Sequence, residues 1–276
     1  TASKTIEVIR QHRDEPFFIA TGFVRPHYPM VAPRRYFDMY PIEDITLPYV
    51  PDDDHDDIPP LGFPKVVSTK DPIGKYPDNQ KRMWAGYYAT VTYMDEQVGR
   101  ILDELDRQGL RDNTAVVFTS DHGYHLGEHH FWQKSNLHEE ALRVPLIISS
   151  PGVKAGRSSA IAELMDIYPT LSELAGFEAP ESVQGMSLVP VLHDNSVHVR
   201  EAALTIDRSG YALRSDRWSY IRYNDDTEEL YDMQSDPSQL TNLAINPERE
   251  DELKTWRSKL DSRLNGAGIT RKLKKG

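Results

Sequence analysis

The residues best able to do chemistry stand at the end of an apolar run. Thr114-Ala-Val-Val-Phe-Thr-Ser leads into Asp121, His122 and Gly123, and His125, Glu128, His129, His130, Trp132 and Lys134 follow closely. Carboxylate oxygen suits a hard cation such as Ca²⁺ or Mg²⁺, while imidazole is equally at home on zinc. The Asp121–His122 pair therefore reads as part of a metal site without choosing the metal. Two donors do not complete a shell, so further ligands must come from elsewhere. Lys134, thirteen residues after Asp121, offers a compact charge with three donors, suited to an oxygen of a bound sulfate or phosphate. A lysine on a polar loop is ordinarily just exposed; its place beside the metal pair gives it the anion-binding role.

A second cluster is Gly22-Phe-Val-Arg25-Pro-His27-Tyr-Pro29, directly after the apolar run Phe17–Thr21. Prolines on both sides of His27 favour extended backbone and restrict the direction of the ring. A histidine so held can serve as general acid or hold an anion. Arg25, Arg34 and Arg35 could add local positive charge. Asp52-Asp-Asp-His-Asp-Asp57 superficially resembles a calcium loop, but lacks glycine at its sixth position and a bidentate glutamate at its twelfth. It reads as a solvated acidic loop.

These residues need elements to hold them. Residues 2–12 read as a helix with Ile6 and Ile9 on one face, and 17–21 as a central strand. The Pro- and Asp-rich stretch 24–78 has little periodicity. Residues 81–108 form the clearest helix, stopped by Gly109. Residues 113–120 and 144–150 read as strands covered on both faces, and 161–174 as a helix. Strand–helix alternation predicts an α/β layered sheet between helices over residues 1–195, with ligands beyond the carboxyl ends of its strands. Over 196–276 the texture changes to short alternating runs at 202–207, 210–214, 218–223 and 229–232. A helix over 247–264 follows, with Leu253, Trp256, Leu260 and Leu264 on one face. This predicts a smaller antiparallel α+β subdomain. The basic end, Arg271–Lys275, reads as solvated.

Composition narrows the classes. Of 276 residues, 38% are hydrophobic and 27% charged, and no apolar run reaches membrane-spanning length. A net charge of −11 argues against nucleic acid as the main partner. There is no cysteine, which removes disulfides, thiolate metal sites and a cysteine nucleophile. The first residues contain no signal peptide and read as a helix already under way, so a preceding segment is expected.

Four stretches together resemble the sulfatase family of the alkaline phosphatase superfamily. They are the Gly22–Pro29 segment, Tyr87-Tyr-Ala-Thr-Val-Thr-Tyr-Met-Asp-Glu-Gln-Val-Gly99, Thr119–His129, and Glu229-Leu-Tyr-Asp-Met-Gln-Ser-Asp-Pro237 with Asn242-Leu-Ala244. The Arg-Pro-His-Tyr-Pro run and the Asp-His pair look most like iduronate-2-sulfatases. The resemblance implies that Asp121 and His122 help hold one calcium ion and that Lys134 contacts the sulfate. It implies that His27 contacts the sulfate or protonates the departing sugar oxygen. Arg25, His129 and Trp132 are the candidate substrate contacts, and the implied partner is a sulfated carbohydrate. The family's nucleophile is a formylglycine made from Cys or Ser in Cys/Ser-x-Pro-x-Arg, and neither form occurs here. The resemblance thus implies the C-terminal portion of a sulfatase, inactive alone, whose partner is a missing N-terminal segment or chain. Family habit suggests a periplasmic, secreted or lysosomal place. Rival readings are a phosphoesterase or phosphonate hydrolase of the same superfamily, and a non-catalytic anion-binding relative.

Overall fold

The computed structural model describes residues 1–67 and 76–269. The basic stretch Arg271–Lys275 lies outside them. The chain forms two compact units, Thr1–Pro48 with Ser68–Val116, and Tyr49–Val67 with Val117–Gly276.

In the first unit the helix Ala2–Gln11 buries Ala2, Ile6 and Ile9, the stripe its spacing predicts. Arg10 ties it to the long helix Pro77–Arg107 through a two-pronged bond to Glu104, at 2.8 and 2.9 Å. That helix ends as expected at Gly109. The glycine takes φ +68°, and the Leu110 amide reaches back to the Leu105 carbonyl at 2.9 Å, closing the last turn. The strand expected over 17–21 is absent: residues 16–24 have no regular structure, and Phe18 exposes 79% of its surface. An apolar run becomes a strand only when a neighbour accepts its ladder, and among the described residues it has none.

Among its described residues the second unit contains three small sheets. Strands β1 (Val66–Val67), β2 (Val116–Thr119), β3 (His125–Leu126), β4 (Phe131–Gln133) and β5 (Leu146–Ser149) form two of them, ordered β1-β4-β3 and β2-β5. Strands β2 and β5 are shorter than their apolar runs. Neither is covered on both faces as expected; Ile147 in β5 is 61% exposed. The helix predicted over 161–174 begins as a 3-10 turn, Leu164–Asp166, and continues as the helix Ile167–Leu174.

The C-terminal elements follow the expectation closely. Strands β6 (Ala202–Ile206), β7 (Gly210–Ser215), β8 (Trp218–Tyr223) and β9 (Glu228–Asp232) form an antiparallel meander in sequence order. Successive strand residues point to opposite faces. One face presents Leu213, Tyr220 and Leu230 to Leu253, Trp256, Leu260 and Leu264 of the final helix, Glu250–Gly266. The other carries Ala212, Ile221 and Tyr223 against Leu137. Each fully buried leucine or isoleucine in this double layer contributes about 1.5–3 kcal/mol. Through Leu137 the second face meets the segment that follows Lys134.

Candidate active site

Strand β2 delivers Asp121 and His122 to its carboxyl end. Asp121 Oδ1 accepts the His122 amide at 3.1 Å, and Oδ2 lies 3.7 Å from His122 Nε2. The Asp121 side chain is 86% exposed. His122 Nδ1 lies 2.8 Å from the Gly123 carbonyl. A carbonyl only accepts, so Nδ1 donates to it, and in the neutral ring the lone pair falls on Nε2, beside the carboxylate. This tautomer is the one a metal-ligating histidine needs. The pair fits part of a divalent-cation shell. Among the described residues no group of three or more His, Cys, Asp or Glu could hold an ion.

Gly123 explains how the turn is held. A Cβ at this position would lie 1.9 Å from the Glu140 carbonyl oxygen, and the Gly123 amide donates to Ala141 O at 2.8 Å. The turn is thus sewn to the short helix Glu139–Leu142.

The chain then runs through β3 and β4 to Lys134. Gly127, His129, His130, Gln133 and Ser135 all have positive φ, an unusual density for mostly non-glycine backbone. Such conformations persist only where the surroundings over-determine them, and they cluster at functional sites. Lys134 itself is half-buried.

Beneath the loop lies a group of buried histidines. His129 Nδ1 contacts both oxygens of Asp54 at 3.2 and 3.0 Å, each side chain being only 1% exposed. Burial opposes the charged imidazolium. The bond to Asp54 and the charges of Asp54, Glu140 and Glu229 outweigh it, and the net shift is upward. His125 behaves oppositely. Burial drives it down to about 3, against a lesser upward pull from its 3.0 Å bond to Asn136. His138 Nε2 meets Glu229 Oε2 at 2.8 Å, both fully buried. Glu229 also accepts Tyr223 Oη–H at 2.5 Å and the Tyr231 hydroxyl. Burial pushes this carboxyl upward, but the charge and hydrogen bond of His138, with both tyrosines, bring it below its ordinary value.

Several expectations change. His129 and Trp132, each 1% exposed, offer no surface to a substrate: His129 is closed off with Asp54, and Trp132 lies in β4 between β1 and β3. Asp52–Asp57 is not merely solvated: Asp54 is buried on His129, and Asp57 accepts the Asn242 amide at 2.8 Å. In the first unit the segment around His27 is turned rather than extended, since the His27 amide closes on Val24 O at 2.9 Å. Arg25 spends its donors on that loop, reaching the carbonyls of Val31 and His27, each at 3.0 Å. His27 is exposed, with Nδ1 2.5 Å from Tyr28 O, which leaves Nε2 outward. Arg35 pairs with Glu96 at 2.9 Å and Arg34 lies 3.5 Å from Asp38, so neither is spare positive charge.

Sequence reasoning missed Asp54, His138 and Glu229 as members of this group. A signal existed for the last. Glu229 and Tyr231 alternate with Leu230, so a carboxylate stands on a strand face whose neighbours are apolar.

The fold is that of an α/β protein in which one strand, β2, ends in an exposed carboxylate and an imidazole. The general sulfatase model matches residues 1–177, and the model for the C-terminal part of N-sulphoglucosamine sulphohydrolase matches 127–266. The chain belongs to the sulfatase family. It is 38% identical to a sulfatase of Formosa agariphila over 87% of this chain and 48% of that protein. It is 34% identical to the choline-sulfatase of Rhizobium meliloti over 88% of this chain and 50% of the relative. The mouse iduronate 2-sulfatase is also 34% identical, over 60% of this chain and 37% of its own length. The chain therefore spans about half the length, or less, of these curated relatives. Among solved structures, a phosphonate monoester hydrolase from Silicibacter pomeroyi superposes with TM-score 0.85 at 25% identity, covering 96% of this chain and 59% of that one. A protein solved with its substrate D-glucosamine-2-N,6-O-disulfate shares the fold at TM-score 0.81 and 24% identity, covering 96% of this chain and 68% of that one.

Proposed function

We propose that this chain is the part of a sulfuric ester hydrolase that supplies half of the metal shell, the anion-binding lysine and the leaving-group acid, and that the substrate is a sulfated sugar of the kind an iduronate-2-sulfatase takes. The observation that carries the reading is the Asp121–His122 turn, whose Nε2 lone pair and carboxylate stand side by side at the end of β2. Asp121 and His122 would hold a calcium ion, and the chemistry it would supply is a fixed positive charge that offsets negative charge on the sulfate group. Lys134 binds one of those oxygens and orients the ester. His27, whose Nε2 points outward, would be the proton donor to the departing sugar alcohol. A divalent charge and an ammonium aimed at developing negative charge are the kind of preorganised electrostatics that dominates catalysis. The nucleophile, in this family a formylglycine, would come from polypeptide other than these residues, so the chain alone is expected to be inactive. We retain a boundary near residue 195 between catalytic and C-terminal parts, supported by the change from mixed α/β to the antiparallel meander.

The sugar specificity rests on the Arg25-Pro-His-Tyr-Pro29 run and on the Asp-His pair, and choline-sulfatase matches over more of the chain. A second reading, phosphonate monoester hydrolysis, is favoured by the superposition on that enzyme. Parallel assays of the full-length protein on sulfated disaccharides, choline sulfate and phenylphosphonate monoesters decide between them. Faster turnover of the phosphonate ester overturns the sulfatase reading.

A further inference from the structure

Resting on that reading of the site, we propose that Glu229, acting through His138, is a positioning residue that sets where Lys134 and the Asp121–His122 turn stand. The C-terminal sheet is then part of the catalytic frame and not an appendage to it.

The connection can be followed bond by bond. Glu229 lies on the face of the β6–β9 sheet opposite the final helix, held by Tyr223 and Tyr231, and grips His138 at 2.8 Å. His138 is four residues beyond Lys134, and between them Asn136 is tied to buried His125 at 3.0 Å. The His138 carbonyl accepts the amides of Ala141 and Leu142 at 3.0 and 3.1 Å and so begins the helix Glu139–Leu142. The sheet side holds that helix twice more: Arg214 bonds the Glu139 carboxylate at 2.8 Å, and Gln239 Oε1 accepts the Glu139 amide at 2.7 Å. The far end of the same helix carries Ala141 O, on which the Gly123 amide rests. One carboxylate therefore anchors a segment that has Lys134 at one end and, through Gly123, both candidate metal donors at the other.

Core filling alone is a poor account of this arrangement. A buried ion pair contributes little net stability, and well-packed apolar residues of similar volume often do as well or better. What such a pair provides is direction. A carboxylate with three donors aimed at it accepts the imidazole in one place only, because any displacement leaves a buried charge without its partner. The run of positive-φ residues from 127 to 135 needs such an external constraint to persist.

The test compares Glu229→Gln with the parent chain by amide hydrogen exchange, read segment by segment. We expect residues 134–142 and 121–123 to exchange at least about tenfold faster while β6 and β7 are unchanged. Faster exchange spread evenly over the sheet, or no change at all, would overturn the proposal in favour of a plain structural role. Should Glu229→Gln not fold, Tyr223→Phe loosens the same carboxylate more gently, and the same two patterns decide. In full-length protein that turns over a sulfate ester, Glu229→Gln should lower kcat/KM about tenfold. Lys134→Ala added to it should cost less than it does alone, because both changes act on one contact. Independent, multiplicative losses contradict the coupling. If the parent turns over no sulfate ester, the functional reading fails, and the exchange pattern still decides the positioning role.

Discussion

Histidines of one short stretch lead opposite lives. His122 sits on an open turn, with one nitrogen occupied by backbone and the other 3.7 Å from an exposed carboxylate. His125, His129 and His138 lie a few residues on, fully enclosed, two of them on buried carboxylates. The difference teaches that ligand chemistry and scaffold chemistry can be built from identical side chains. What separates them is whether a carboxylate partner is enclosed with the ring or left to face solvent.

The contrast is broken most severely from the buried side. His138→Ala leaves Glu229 charged and unpaired in the core, and should cost about 3–5 kcal/mol in chemical denaturation. A loss below about 1 kcal/mol would mean the pair is not closed in solution. Next comes the open side in full-length active protein. Lys134→Ala and His27→Ala should each lower sulfate-ester turnover by about 10²–10³-fold with little change in thermal midpoint. Near-parental rates in either variant remove that residue from the site.

A smaller effect separates two buried rings by sign. The folded-state pKa of His125 is depressed to about 3. Its contribution is therefore complete above the ordinary imidazole range, near 6.5, and is lost as pH falls from there toward about 3. His129 is raised, so its contribution is complete below that range and is lost as pH rises through its folded value. Thermal midpoints across pH should show His125→Gln flattening the acid limb and Asp54→Asn the neutral-to-alkaline limb. Smallest of all, His122→Ala should change stability by no more than about 0.5 kcal/mol. It should nonetheless weaken calcium binding in a calorimetric titration of the full-length protein, and unchanged binding would separate His122 from the metal.

Much of the fold could be read directly. Leu253, Trp256, Leu260 and Leu264 announce their helix because a three- and four-residue spacing has one structural meaning, and all four are buried. The alternation in β6–β9 was equally plain. The run 17–21 failed because a strand is a relation between segments, and its own residues carry no record of a partner. In the site, Asp121, His122 and Lys134 stood out by type and position. Asp54 did not: five aspartates within six residues look alike, and only the fold selects the one that meets His129. Trp132 and His129 misled for the same reason, since chemically capable residues beside a reactive loop can serve as its underside.

Strands β7–β9 of the meander are covered on both faces, and that leaves a signature in any exhaustive substitution survey. Along β7, β8 and β9 the consequences of change should beat in twos. Positions such as Leu213, Tyr220 and Leu230 would report only how much folded protein survives. Their immediate neighbours Ala212, Ile221 and Glu229 would also degrade the specific activity of whatever molecules remain.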